Sequence, residues 1–287
     1  MAQAYGLPLQ PLSIQLRSGS NLVGLVAEQA LGESSEFPLH EVRWTAPRKL
    51  SAEALASLWG LPLAQLRALN PKLGETVEEG EALLVYRFNP FEPTRSVGKP
   101  NSGRLVNGVP FPEGDAWELR ETRRNHWGTR LAIGALHQAL ERYGLRYPDG
   151  PKMRIGDYSR RTGGRLKPHK SHRSGRDVDF NYVLLPGTDG ERRWGRVSEE
   201  NFDAEKSWFI IKTLLDSGEV ESMFVDRFVQ KLLAREAAKT LSKEHVFELF
   251  EYSFAGVNRS APLQHWSGHR DHVHVRFRCA PGDRSCR

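Results

Sequence analysis

Cysteine is almost missing from this chain of 287 residues, which has two. They are Cys279 and Cys286, on either side of Pro281-Gly282. No CxxC pair exists, which argues against a thiolate zinc knuckle. A short disulfide between the two would tie down the tail and imply an oxidising compartment; two free thiols are the other possibility. Long apolar runs are missing too, and no window approaches the roughly eighteen residues of a membrane span. The N-terminal stretch MAQAYGLPLQPLSIQLRSGS has no basic segment leading into an apolar one, so a soluble chain is expected, with no export signal visible in it. Neither GxGxxG nor GxxxxGK[ST] occurs, so no nucleotide is expected. No GxSxG elbow supplies a serine nucleophile.

Hydrophobic residues make up 39% of the chain, enough for a substantial core, and the formal net charge is +6. That sign suits a partner with acidic groups: nucleic acid, an anionic cell wall or a membrane surface. Runs such as ELRETRRNHWGTR interleave both signs, as an ordinary solvated surface does.

Residues 1–41 form an N-terminal extension in which SIQL and LVGLVA are the best strand candidates. Over 42–88 the pattern predicts a small module. SAEALASLWG is a short helix stopped by Gly60, PLAQLRALN a second ending near Asn70-Pro71, and ALLVYRF a strand. Residues 89–103, rich in Pro, Gly, Ser and charge, are expected to be a linker. A second domain over 104–287 opens with a turn region, followed by a helix in TRLAIGALHQALERYG, its face formed by Leu131, Leu136, Leu140 and Tyr143 and its end set by Gly144. His137 falls within this helix and is expected to be a satisfied surface or boundary histidine. MRIGDY, DVDFNYVL and VESMFVD are strands. NFDAEKSWFIIKTLLDSG is a helix with Asn201 as its cap, and further helices cover roughly 227–239 and 243–250. Helices and strands mix without a βαβ rhythm, so the expected class is α+β.

The chemistry concentrates in two strings. HKSHRSGRDVDF supplies His169, His172, Asp177 and Asp179, and GHRDHVHVRF supplies His269, His272 and His274. Alternate residues of a strand share a face, so His272 and His274 can look into one cavity, and Asp177 and Asp179 lie on one face of their own strand. A catalytic zinc commonly takes three protein ligands. His172, Asp179 and one histidine of the HVH pair meet that need, with SGR supplying the turn. The other histidine then stands free for proton transfer. Asp177, His169 and His269 are left to orient ligands or contact substrate, and Arg270 and Arg276 to meet a substrate carboxylate or to serve as surface charge.

Both strings resemble the signatures of the penicillin-insensitive murein endopeptidases, within the LAS metallopeptidases, where HxxxxxxD is followed by HxH. RIGDYSRRTGG and the cysteine after RFR are similar as well, so the likeness spans about residues 104–279. It implies an LAS-type domain with a central antiparallel sheet, a zinc ion on His172, Asp179 and His274, His272 as the catalytic histidine, and His169 and His269 as further active-site residues. The segment 42–88 resembles a LysM βααβ module in Leu55 and Leu58, Gly60-Leu61, LRALNP and Val77-x-x-Gly80-x-x-Leu83. The usual Gly-Asp-Thr turn at its start is replaced by Ala46-Pro47-Arg48. A LysM module implies an N-acetylglucosamine-containing glycan as ligand.

Together these resemblances imply a zinc endopeptidase of the periplasm or cell wall. It would hydrolyse peptide cross-links of peptidoglycan, with D-Ala to meso-diaminopimelate the favoured bond, and be indifferent to β-lactams. A D,D- or L,D-carboxypeptidase on stem peptides is the nearest alternative, a non-catalytic wall-binding protein a second and a metal-dependent nuclease a third. The nuclease is disfavoured because no aromatic-basic platform for stacking bases is seen.

Overall fold

The computed structural model describes residues 40–120, 122–187 and 194–287. The strand candidates SIQL and LVGLVA lie outside them. The chain first lays down β1 (Glu41–Thr45), β2 (Leu50–Ser51), α1 (Ala52–Trp59), α2 (Leu63–Leu69), β3 (Thr76–Val77) and β4 (Ala82–Arg87). β1 and β4 pair antiparallel, with Glu41 opposite Arg87. Ser51 caps α1 by accepting from the Ala54 amide, and Gly60 closes it at φ 65°, where a side chain would be strained. Asn70 joins the end of α2 to β4: its Nδ2 donates to the Leu84 carbonyl at 2.8 Å and its Oδ1 accepts from the Leu84 amide at 2.9 Å.

The core of this part contains Trp44, Leu55, Trp59, Leu66, Val77 and Val85, and it is completed by Leu105 and Trp127 from farther along the chain. Trp127 Nε1 donates to the Trp59 carbonyl at 2.9 Å. The βααβ segment is therefore packed directly on the remainder of the chain.

Next come β5 (Arg95–Val97), β6 (Arg104–Val106), β7 (Val109–Pro110), β8 (Trp117–Leu119), β9 (Trp127–Gly128) and α3 (Arg130–Arg146). The stretch expected as linker thus holds β5, paired with β6. The C-terminal tail packs on it: Ser285 O accepts from the Gly98 amide at 2.8 Å, and a Cys279–Cys286 disulfide closes the tail. α3 does not stop at Gly144 but runs through it, because the helix passes so near Ala116 that a Cβ at Gly144 would lie 2.7 Å from the Ala116 Cβ. His137 lies within α3, half-buried, with its ring edge-on to Trp117 at 5.4 Å.

The rest is β10 (Met153–Ile155), β11 (Asp177–Asn181), α4 (Ala204–Asp216), β12 (Val220–Val225), α5 (Arg227–Ala237), α6 (Lys243–Leu249), the hairpin β13 (Tyr252–Ser253) and β14 (Gly256–Val257), β15 (Leu263–His265) and β16 (His272–Phe277). Asp203, not Asn201, caps α4, accepting from the Lys206 amide at 3.0 Å. Asn201 Oδ1 instead accepts from the Ser198 amide within the preceding turn.

Six strands form the central sheet in the order β15-β12-β16-β11-β10-β8. The expected antiparallel sheet is corrected to a mixed one. The four central strands are antiparallel, whereas β8–β10 and β12–β15 at the two edges are parallel. Parallel neighbours need long crossovers, here supplied by α3 on one side and by α5, α6 and the hairpin on the other. Val178, Phe180, Met223, Val225, Val273 and Val275 on one sheet face are buried in a common core with Ile133, Leu136, Ile211 and Leu233 from the helices. The other face carries the polar residues.

Candidate metal centre and catalytic cleft

β11 and β16 lie in register with Asp179 opposite His274 and Asp177 opposite Arg276. β12 places Phe224 on the other side of His274. The strand period of two turns all five side chains to the face away from the helices. His172 arrives from the loop before β11. Its backbone adopts φ 61°, a conformation costly for a residue with a side chain. Its amide donates to Asp177 Oδ2 at 3.2 Å, which secures that turn. Gly175, at φ 76°, completes the turn where a Cβ would meet Leu105 at 2.8 Å, so SGR does supply the reversal.

Each ligand-capable histidine has its far nitrogen engaged. His172 Nδ1 donates to the Tyr158 carbonyl at 2.8 Å, which leaves Nε2 as the lone-pair nitrogen. His274 Nε2 meets Asp177 Oδ1 at 3.0 Å, which turns Nδ1 towards the cleft. The two inward nitrogens stand 3.2 Å apart. Asp179 Oδ1, a buried oxygen, lies 3.3 Å from the first and 3.0 Å from the second.

Three donors around one point need a cation. Burial opposes charge on His274, yet hydrogen bonds with Asp177 and Asp179 outweigh it and raise the imidazole to about 9. Asp177 and Asp179 are held below the usual carboxylate range despite their burial, by the neighbouring histidines and, at Asp177, also by Arg276. A proton or a metal ion satisfies the same electrostatic demand. Donors about 2.0–2.1 Å from a tetrahedral zinc lie roughly 3.3 Å from one another, and the separations here are 3.0–3.3 Å. The donor set fits the ion.

His169 stands beside this trio. Its Nε2 meets Asp157 Oδ2 at 3.0 Å and its Nδ1 lies 3.6 Å from Asp179 Oδ2. Donors of His169, His172 and Asp179 also fall within 4.8 Å of one another, a looser set than the one with His274. His272 contacts Asp271 Oδ1 through Nδ1 at 2.6 Å, and its ring is 4.6 Å from that of His269. Burial, then the nearby His272 and His274, lower His269 to about 4. An open cleft of about 740 Å³ is lined by His169, His172, Asp179, His269, His272 and His274 together. Asp177 lies fully buried behind His274.

With this geometry in place, the sequence profile of the penicillin-insensitive murein endopeptidases matches residues 96–287. The chain belongs to that family. Its relatives include the penicillin-insensitive murein endopeptidase of Yersinia enterocolitica serotype O:8, 24% identical over 212 residues, covering 67% of this chain and 69% of the relative. The protein of the same name from Pectobacterium atrosepticum is 25% identical over 214 residues, covering 67% of each. The match takes in both histidine strings and every strand of the central sheet, and it begins after the βααβ segment. Among the described residues, no helix is long and apolar enough to cross a membrane.

Within this peptidase fold the two arginines considered for substrate binding separate. Arg276 lines the cleft, with Nε on Asp177 Oδ1 at 2.9 Å and its guanidinium 5.4 Å from the Phe224 ring centre. Arg270 is used structurally, donating to the Val197 carbonyl and lying over Phe228. Ser96 and Lys99 have the spacing of a serine-nucleophile SxxK, but Ser96 is buried in β5 against the tail, its amide on Asp283. Sequence reasoning missed Asp157, Arg120, Trp194, Phe224 and Trp266, all of which line the cleft. For Asp157 a signal was present, since it sits in RIGDYSRRTGG at the exit of a predicted strand.

Proposed function

We propose that this chain is a zinc-dependent endopeptidase that hydrolyses peptide cross-links in bacterial peptidoglycan, with D-Ala to meso-diaminopimelate as the bond cut. The observation that carries this reading is the convergence of His172 Nε2, Asp179 Oδ1 and His274 Nδ1 at 3.0–3.3 Å in an open cleft, in a chain of the murein endopeptidase family. These three side chains are the zinc ligands. Bound zinc supplies Lewis acidity that polarises the scissile carbonyl and makes a water molecule more acidic. Asp177 fixes the orientation of His274.

His272, its ring held through Nδ1 by Asp271, has Nε2 left to accept a proton from the attacking water and return it to the leaving amine. His269 stays neutral beside it. His169, oriented by Asp157, contacts substrate from the opposite side. The mechanism requires no covalent intermediate, so β-lactams, which acylate serine, leave the activity intact.

The segment 42–88 is read as a LysM-like glycan-binding module and 104–287 as the peptidase domain, with 89–103 joining them. Peptidoglycan is then engaged through both its glycan strands and its stem peptides, in the periplasm or at the cell wall. The Cys279–Cys286 disulfide suits an oxidising compartment of that kind.

Mass spectrometry of products from purified cross-linked peptidoglycan tests the activity. Zinc-loaded protein is expected to convert dimeric muropeptides to monomers, and EDTA-treated protein and His272→Ala are expected to convert none. Removal of terminal D-Ala with dimers intact would identify a carboxypeptidase instead.

A further inference from the structure

The parallel edge of the sheet delivers a cation to the cleft. β8 and β10 pair with Leu119 level with Ile155, so the two strands exit at the same end and Arg120 emerges beside Asp157. Its Nη1 stands 3.4 Å from Asp157 Oδ2, an oxygen already engaged by His169 Nε2 at 3.0 Å. The other Asp157 oxygen accepts from Asn125 Nδ2 at 3.2 Å. The guanidinium of Arg120 lies 5.5 Å from the Trp194 ring centre, and Trp194 stands edge-on to His272 at 5.9 Å. Asp157 is 6% exposed whereas the Arg120 side chain is 51% exposed.

Arg120 is thus braced on two sides, by a buried carboxylate and an aromatic ring, and open on the third towards the cleft. A guanidinium carries five donors in a rigid fork matched to carboxylates, and a single long contact to Asp157 occupies little of it. Arg276, the other cleft arginine, is anchored through Nε to Asp177.

We propose that Arg120 is a specificity-determining residue that binds a free carboxylate of the stem peptide on the His169 side of the scissile bond. This rests on the endopeptidase reading of the cleft. The carboxylate has two sources, the side-chain carboxylate of a diamino-acid residue and the α-carboxylate of a terminal residue.

The test uses the full-length zinc-loaded chain and three synthetic cross-linked peptide dimers: the free acid, one amidated at the diamino-acid carboxylate and one amidated at the terminal carboxylate. On the free acid, Arg120→Gln is expected to lose about 10- to 100-fold in kcat/KM, chiefly through KM, as for one lost charge-assisted contact. Arg120→Lys is expected to recover part of the loss. On the dimer whose amide removes the bound carboxylate, wild type and Arg120→Gln are expected to be equal, and that dimer identifies the source. An equal loss on all three dimers, or a loss in kcat alone, would mean that Arg120 acts only through Asp157 and would overturn the proposal, as would no loss at all.

Calorimetric titration of the same dimers into metal-free protein separates the two claims. An Arg120-dependent preference for the free acid without cleavage by the zinc-loaded chain refutes the endopeptidase reading alone, while absence of that preference refutes the Arg120 proposal.

Discussion

His172 Nε2 and His274 Nδ1 stand 3.2 Å apart although the residues are 102 positions apart in the chain. Neither ring is free to turn, because Tyr158 O holds one and Asp177 the other. Orientation by such partners raises metal affinity. Asp177→Asn is therefore expected to weaken zinc binding by about 10- to 100-fold, measured by competition with a chromophoric chelator. Unchanged affinity would show that Asp177 does not orient the ligand.

Gly144 lies in the body of α3, where glycine ordinarily costs about 1 kcal/mol relative to alanine. Here the sign is expected to reverse, since the new Cβ would stand 2.7 Å from the Ala116 Cβ and overpacking of this kind costs about 1–3 kcal/mol. Denaturant unfolding of Gly144→Ala and of Gly144→Ala with Ala116→Gly is the check. The single variant is expected to be less stable than the parent and the double variant to regain most of the loss. A stabilised single variant would contradict the packing argument.

Trp127 closes the core shared with Trp44, Leu55 and Trp59 and donates to Trp59 O. Trp127→Ala is expected to cost about 3–5 kcal/mol and to loosen the βααβ segment. Equilibrium unfolding and hydrogen exchange at 41–87 report the two effects. A loss below about 1 kcal/mol, outside the range of such truncations, would show that the segment is not held through this core.

His126 is fully buried. Burial, then Arg123, lower it from 6.5 to about 4, while nearby Asp157 acts in the opposite sense. The unfolded chain therefore binds this proton more readily than the folded one. Stability associated with neutral His126 is full above pH 6.5 and falls progressively towards about pH 4, by an amount on the order of 3 kcal/mol at most. Unfolding measured at pH 7 and pH 4.5 is expected to show a smaller drop for His126→Gln than for the parent. Equal drops would place the acid sensitivity elsewhere.

The two histidine strings were legible because a strand has a period of two. HVH and DVD each put their polar members on one face whatever the surrounding fold. The direction of neighbouring strands was not legible, because hydrophobic alternation carries no polarity, so both parallel edges were missed, and Arg120 with them. Gly144 looked like a helix stop because its reason for being glycine, Ala116, lies in another element. The cysteine spacing permitted closure without requiring it, and the disulfide became definite only with the tail packed on β5. Which ring nitrogen of His172 faces the cleft depends on the Tyr158 carbonyl, and no local pattern announces that.

The most direct test is anomalous diffraction at the zinc edge from crystals of the zinc-loaded protein, paired with metal analysis of His274→Ala. The predicted result is a single ion bound by His172 Nε2, Asp179 Oδ1 and His274 Nδ1, with occupancy lost in the variant. An ion bound through His169 in place of His274, or full zinc content in His274→Ala, would contradict the assigned centre.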